Sequence, residues 1–264
     1  MKRSFSNLGR KYIGIIPLWA LLLTKSPRKT MKTILITGAS RGIGKATAIL
    51  MAGEGYHLIL CARNLEPLKR VKNQILEEHE GCEVHLFDFD IADKSAILKL
   101  GRQLTAQNLT IDVLINNAGN FIPGQISEEA DDVFETMIAT NLASVYHMSR
   151  LVLPKMKEMN AGYILNICST ASIVPYINGG SYCISKFGEL GLTKVLREEL
   201  KETGIKVTAI LPGATLTDSW NGTDLPEERF MNAESVAKVI LQCIQSPIDI
   251  VHEEILIRPQ KGDI

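Results

Sequence analysis

The sequence has no surplus of charge of either sign, few cysteines, no clustered histidines and no long uninterrupted hydrophobic run. Its 29 Lys and Arg offset 29 Asp and Glu, so neither a nucleic-acid surface nor an acidic partner is expected. Cys61, Cys82, Cys168, Cys183 and Cys243 are odd in number and contain no CxxC pair. That argues against a disulfide framework and for a reducing compartment such as the cytoplasm. Cys168 and Cys183 are expected to be small buried hydrophobes. The five histidines follow no HExxH-like spacing, so no metal site is indicated. The apolar run from Tyr12 to Leu23 is broken by Pro17 and falls short of the about 20 residues that span a bilayer as a helix. With Lys2, Arg3, Arg10 and Lys11 before it, this run reads either as a signal peptide or weak peripheral anchor, or as a floppy extension from an upstream start. The second reading is favoured because Met31 begins the first strand directly; membrane contact is expected only if residues 1–30 are functional.

What is present suits one domain over residues 31–264. A chain of 264 residues with 45% apolar content can bury a single large core. Strands are expected at Met31–Thr37, His57–Cys61, Glu83–Phe87, Ile111–Ile115, Tyr163–Ile167, Lys206–Leu211 and Glu254–Ile257. Helical patterns cover Lys45–Ala52, Leu65–Glu80, Asp93–Gln107, Asp131–Lys157 and Tyr182–Thr203. Parallel strands need crossovers of this kind. The expected fold is therefore a doubly wound α/β domain, a mostly parallel seven-stranded sheet with helices on both faces.

Between the first strand and its helix lies Gly38-Ala39-Ser40-Arg41-Gly42-Ile43-Gly44. Glycines let a backbone approach a pyrophosphate, and the helix amino terminus offers free amides and a partial positive charge to hold it. The spacing is G-x3-G-x-G, a variant of the G-x-G-x-x-G dinucleotide turn. Farther along, Tyr182 and Lys186 stand four apart in Ser-Tyr-Cys-Ile-Ser-Lys, with Ser169 on a preceding element. On a helix that spacing puts phenol and ammonium on one face, where the cation readies the phenol to give up its proton. A phenol so tuned can protonate a carbonyl while the Ser169 hydroxyl holds the same oxygen, a reductase constellation rather than a hydrolase one. Gly38, Arg63, Asp90, Asn116 to Gly119, Ser169 and Pro212-Gly213 each fall just past the carboxyl end of an expected strand. That rim is where ligands bind in doubly wound sheets, so these segments converge on one cleft.

The glycine turn, Asn116-Asn117-Ala118-Gly119, Asn141, Ser169, Tyr182 and Lys186 together closely resemble the short-chain dehydrogenase/reductase family, Rossmann-fold oxidoreductases, from about Met31 to the carboxyl end. The resemblance implies that Tyr182 is the proton donor, that Lys186 assists it and binds the nicotinamide ribose, and that Ser169 orients the substrate. It implies that Asn141 holds a water linking Lys186 to solvent. It further implies an Asp90 contact to adenine, an adenosine wall from Asn116 to Gly119, and a Thr217 contact to the nicotinamide amide. The stretch Pro212-Gly213-Ala214-Thr215-Leu216-Thr217 fits the family pattern P-G-x-x-x-T. The expected cofactor set is Gly38, Ser40, Arg41, Gly42, Ile43, Gly44, Arg63, Asp90, Asn117, Ala118, Gly119, Tyr182, Lys186, Pro212, Gly213, Thr215 and Thr217.

No acid follows the second strand; Cys61-Ala62-Arg63-Asn64 stands there instead. NAD-selecting enzymes place an acid at this point for the ribose hydroxyls, whereas Arg63 and Arg41 can pair with a 2′-phosphate. NADP(H) is therefore expected over NAD(H). The expected substrate is a small carbonyl or alcohol: a 3-oxo or hydroxy acid, a ketone or an aldehyde. The chain ends Glu254-Ile255-Leu256-Ile257-Arg258-Pro259-Gln260 and lacks the glycine-rich segment common in the family's acyl-carrier-protein reductases, which weighs against that role. Asp218 to Phe230 reads as a short mobile lid, with Ile122, Ile173, Val174, Pro175 and Tyr176 as candidate apolar walls. Relatives commonly pair their long helices, so a homodimer or homotetramer is expected. The other function open to this fold is a non-catalytic NADP-binding regulatory or scaffold protein. Such a protein would be expected to have lost one of Asn141, Ser169, Tyr182 and Lys186, and all are present.

Overall fold

Residues 32–220 and 222–264 are described in the computed structural model of the chain; the expectations for residues 1–31, and for Asn221 in the lid segment, lie outside them. β1 (Thr33–Thr37), β2 (His57–Ala62), β3 (Val84–Asp88), β4 (Val113–Asn116), β5 (Gly162–Ile167), β6 (Ile205–Pro212) and β7 (Glu254–Ile257) form a seven-stranded sheet in the order β3-β2-β1-β4-β5-β6-β7. Every neighbouring pair is parallel, so the sheet expected to be mostly parallel is wholly so.

Successive strand residues face opposite sides, and the apolar runs fill both. Ile34, Ile36, Leu58, Leu60, Ile115 and Leu165 meet one layer, while Leu35, Ile59, Leu114, Ile164 and Val207 meet the other. The first layer is α1 (Gly42–Gly53), α2 (Leu65–Glu78) and α7 (Ala233–Gln245). The second is α3 (Lys94–Ala106), α5 (Ser144–Met159) and α6 (Gly180–Leu200), with the short α4 (Val133–Ile138) leading into α5. Each fully buried Leu or Ile contributes about 1.5–3 kcal/mol, so this double core is the main term holding the strand ends in place. The five cysteines are free and buried. No helix among the described residues is long and apolar enough to cross a membrane.

Three features differ from the sequence expectations, each for a local reason. Parallel β6 and β7 require a crossover, and α7 supplies it, burying Ala233, Val236, Ala237, Ile240 and Cys243. The stretch expected as one helix from Asp131 to Lys157 is interrupted by a π turn at Ala139–Ala143 that carries Asn141. Such turns insert one residue and re-aim the side chains around it. Finally, α6 starts ahead of Tyr182, at Gly180, because Glu129 caps it. The Glu129 carboxylate accepts from the Ser181 backbone N–H at 2.8 Å and from the Ser181 hydroxyl, a favourable place for negative charge. A Cβ on Gly180 would lie 2.2 Å from Glu129 Oε1, so the cap requires glycine there.

Candidate active site

Strand order reverses between β1 and β4, and the carboxyl ends of the sheet open onto a cleft of about 1150 Å³. Its lining takes Gly38, Ser40, Arg41, Gly42 and Ile43 from the turn after β1, Arg63 after β2, and Asp90 after β3. Asn117, Ala118 and Gly119 come from after β4, and Pro212, Gly213, Thr215 and Thr217 from the end of β6 and beyond. Ser169 after β5, with Tyr182 and Lys186 of α6, completes the set. Of the expected site residues, Gly44 and Asn141 stand behind the lining.

The glycine end is built by close backbone approach. Gly38 and Gly42 have φ of +66° and +54°, the left-handed region that glycine adopts without strain. A Cβ on Gly44 would lie 2.3 Å from the Gly38 carbonyl oxygen and 2.5 Å from Asn117 Nδ2. Gly44→Ala is expected to cost about 1–3 kcal/mol through overpacking, seen as a lower Tm and weaker NADPH binding; an unchanged Tm would refute so tight a turn. Thr37 is the tie that the sequence reading missed. Its Oγ1 accepts from the backbone N–H groups of Asn117 and Ala118, each at 3.0 Å, while Asn117 Nδ2 donates to Thr37 O at 2.9 Å. The only local signal was a hydroxyl ending an apolar strand beside glycine.

The amino terminus of α1 has no side-chain cap and no acid in its first turn, which leaves free amides and a partial positive charge facing the cleft. Arg41 pairs with Asp218 at 2.8 Å across the mouth, with side chains 66% and 52% exposed, a contact worth about 0–1 kcal/mol. Arg63 is exposed and makes no ion pair among the described residues. Asp90 Oδ1 accepts from Ala92 N–H at 2.9 Å. One expectation needs correction: Asn116 does not line the cleft with Asn117, Ala118 and Gly119. As the last residue of β4 it is buried, donating to Asn166 Oδ1 at 2.9 Å, and Asn166 in turn donates to Thr193 Oγ1 on α6 at 2.8 Å.

At the other end, Ser169 begins a 3₁₀ turn, Thr170–Ser172, through a reciprocal capping box. Its Oγ accepts from Ala171 N–H at 3.1 Å, which leaves the hydroxyl proton free to point into the cleft. Tyr182 packs its ring edge-on to Phe121 at 4.9 Å. Lys186 is buried; its Nζ donates to Ile167 O at 2.9 Å and to Glu189 Oε2 at 2.7 Å. For Lys186, burial works against the charge, but Glu189, with Tyr182 and Cys168, outweighs it and holds the ammonium above the ordinary lysine value. Burial pushes the Glu189 carboxyl up to about 7 against the pull of Lys186. Asn141, fully buried in the π turn, accepts from Asn120 N–H at 2.8 Å and donates to Asn120 O at 2.9 Å and Ser185 Oγ at 3.0 Å. A Cβ built on Gly119 would lie 3.5 Å from Asn141 Oδ1 and 3.7 Å from Lys186 Nζ, so both flank one small space.

Of the candidate apolar walls, Val174 and Tyr176 line the cleft, whereas Ile122, Ile173 and Pro175 do not; Phe121 and Trp220 do. Burial pushes the Tyr176 phenol up, so it is an uncharged wall. The segment from Asp218 is pinned at its base rather than loose, since Leu216 N–H donates to Met231 O at 2.8 Å and Met231 N–H to Ala214 O at 3.0 Å. Trp220 packs edge-on to Phe230 at 5.0 Å.

A family model described as short chain dehydrogenase matches residues 32–227. Sepiapterin reductase of Chlorobaculum tepidum is 30% identical over 239 residues, covering 88% of this chain and 97% of its own. Alcohol dehydrogenase from Thermococcus sibiricus, solved with 5-hydroxy-NADP, superposes with a TM-score of 0.81 at 26% identity, covering 89% of this chain and 99% of that one. L-sorbose reductase from Gluconobacter frateurii, solved with NADPH and L-sorbose, gives 0.80 at 25% identity, covering 87% and 95%. A family model over most of the chain, with a relative 30% identical over 88% of it, makes the chain a member of the short-chain dehydrogenase/reductase family.

Proposed function

We propose that the chain is an NADP(H)-dependent oxidoreductase acting on a small carbonyl or alcohol. The observation that carries this is the meeting of Ser169, Tyr182 and Lys186 in the same cleft that begins at the glycine turn. The residues suit the cofactor. Gly38 and Gly42 admit a pyrophosphate, the open end of α1 supplies amides, and Arg63 beside an acid-free turn suits a 2′-phosphate. When bound, NADPH supplies the hydride.

The protein's own groups do the rest. The Ser169 hydroxyl proton holds the carbonyl oxygen, and Tyr182 gives that oxygen its proton. Two of the three Lys186 protons are taken by Ile167 and Glu189, and the third is directed to the nicotinamide ribose. Tyr182 is reprotonated through Lys186 and a water at the Asn141 turn. Among the substrate classes expected from sequence, uncharged ketones and aldehydes are favoured. Among the described residues, the cations lining that part of the cleft, Lys186 and Arg258, already face carboxylates, those of Glu189 and Asp263, which disfavours an acid. Exposed Phe134 and Tyr146, with Ile184, Phe187 and Val195 of α6, support helix pairing between copies.

A carbonyl panel with NADPH and NADH tests the proposal, and absence of turnover with every compound would sink it. Arg63→Ala is expected to weaken NADPH by about 10- to 100-fold, the worth of one charge-assisted contact, with NADH little changed. Fluorescence titration reads both, and equal losses would remove Arg63 from phosphate selection.

A further inference from the structure

Glu189 follows Lys186 by one turn of α6, and the two side chains are 2% and 7% exposed. On an exposed helix surface such a pair would contribute a few tenths of a kcal/mol; sealed from water it governs whether the cation exists at all. We propose that Glu189 is a positioning residue of the reductase site: its carboxylate keeps the buried Lys186 charged, fixes its direction, and offsets part of the field it exerts on Tyr182. The proposal rests on the reductase function given above.

The geometry around the ammonium is specific. One proton goes to the Ile167 carbonyl and one to Glu189, so the carboxylate determines where the third points. Glu189 is the one acidic side chain within ion-pair distance of Lys186 among the described residues. Its other charged or titratable neighbours are few. Cys168, at the end of β5, feels its charge, and burial holds that thiol well up. The Thr170–Ser172 turn and the π turn bring no titratable group. On α4, Glu135 is exposed; Tyr163 of β5 is bonded to Thr208, and Lys206 of β6 to Pro247 O. The pair therefore acts as a unit. The low exposure of both side chains keeps water from the pair.

Glu189→Gln keeps the shape and removes the charge. Lys186 then loses its counter-ion and gives up its proton at lower pH. That depletes the form competent for reduction as pH rises. A purely structural Glu189 would lower turnover at every pH without moving the profile.

The first measurement needs neither cofactor nor substrate. In isotope-labelled cofactor-free protein, the Lys186 side-chain resonance, assigned with Lys186→Arg, is titrated in the native chain and in Glu189→Gln. The native ammonium is expected to persist past the ordinary value of 10.5, and the variant to titrate about one unit or more below it. The second is the pH profile of kcat/KM for carbonyl reduction, whose alkaline limb is expected to fall by at least about half a unit in Glu189→Gln and to return toward native in Glu189→Asp. Identical Lys186 titrations, or a limb that stays in place, would overturn the proposal. Should Glu189→Gln not fold, Glu189→Met carries the same titration. Failure of the native chain to reduce any carbonyl would count against the reductase function, while the Lys186 titration still decides the role of Glu189.

Discussion

Tyr182→Phe is expected to bind NADPH as the native chain does and to lose about 10²- to 10⁴-fold in turnover, the usual contribution of a positioned proton donor. The separation of binding from chemistry follows from what holds the neighbourhood. The Tyr182 ring is seated edge-on against Phe121, and a phenyl ring keeps that contact. Lys186 is anchored by Ile167 and Glu189 rather than by the phenol, so the cofactor side of the cleft stays as built. Steady-state NADPH oxidation with the best carbonyl measures the first quantity and fluorescence titration the second. Turnover within a fewfold of native would exclude Tyr182 as the acid.

Lys186→Met is expected to produce the largest loss of stability, about 3–5 kcal/mol at alkaline pH, the cost of leaving one member of a buried ion pair alone. The pH dependence has a definite sign. Burial already lifts the Glu189 carboxyl from an ordinary 4.5 to about 7, and loss of the ammonium lifts it further. A carboxyl whose folded value lies above its unfolded one binds its proton more tightly when folded. Its stabilising contribution is therefore full in acid and disappears as pH rises through the folded value. The variant should be only mildly destabilised near about pH 5 and fully so above about pH 8. Urea unfolding at both values reads this, and Lys186→Met with Glu189→Leu should restore stability without restoring activity. An equal deficit at both pH values would show that Glu189 is not the group left stranded.

Much of the fold was legible because interior strands of a parallel sheet are near-continuous apolar runs; Ile34 to Ile36, Leu58 to Leu60 and Val113 to Ile115 are buried on both faces. Residues that share the cleft were legible where spacing alone suggests chemistry, as in the glycine turn and the Tyr182 and Lys186 pair. Thr37, Phe121, Glu129 and Glu189 were not, since their significance lies in contacts with groups far along the chain or across a buried helix face. Thr37 meets Asn117 across β1 and β4, and Glu129 meets Ser181 at the start of α6. Asn116 and Asn117 show the limit well. The strand alternation sends the first inward to Asn166 and frees the second for the turn, and two identical side chains in a row do not announce which is which. Helix α7 carried a readable signal in Val236, Ile240 and Cys243, and the parallel pairing of β6 with β7 demands it.

The side chains that stitch β1 to β4, β4 to β5 and β5 to α6 are Thr37, Asn117, Asn116, Asn166 and Thr193, most of them sealed in the core. Thr37 and Asn117 also line the cleft, so the network belongs to the interior and to the cavity floor at once. On heating, that floor has no separate transition available to it. Catalytic capacity and tertiary structure should vanish over the same few degrees, without a warm, intact but inactive form in between.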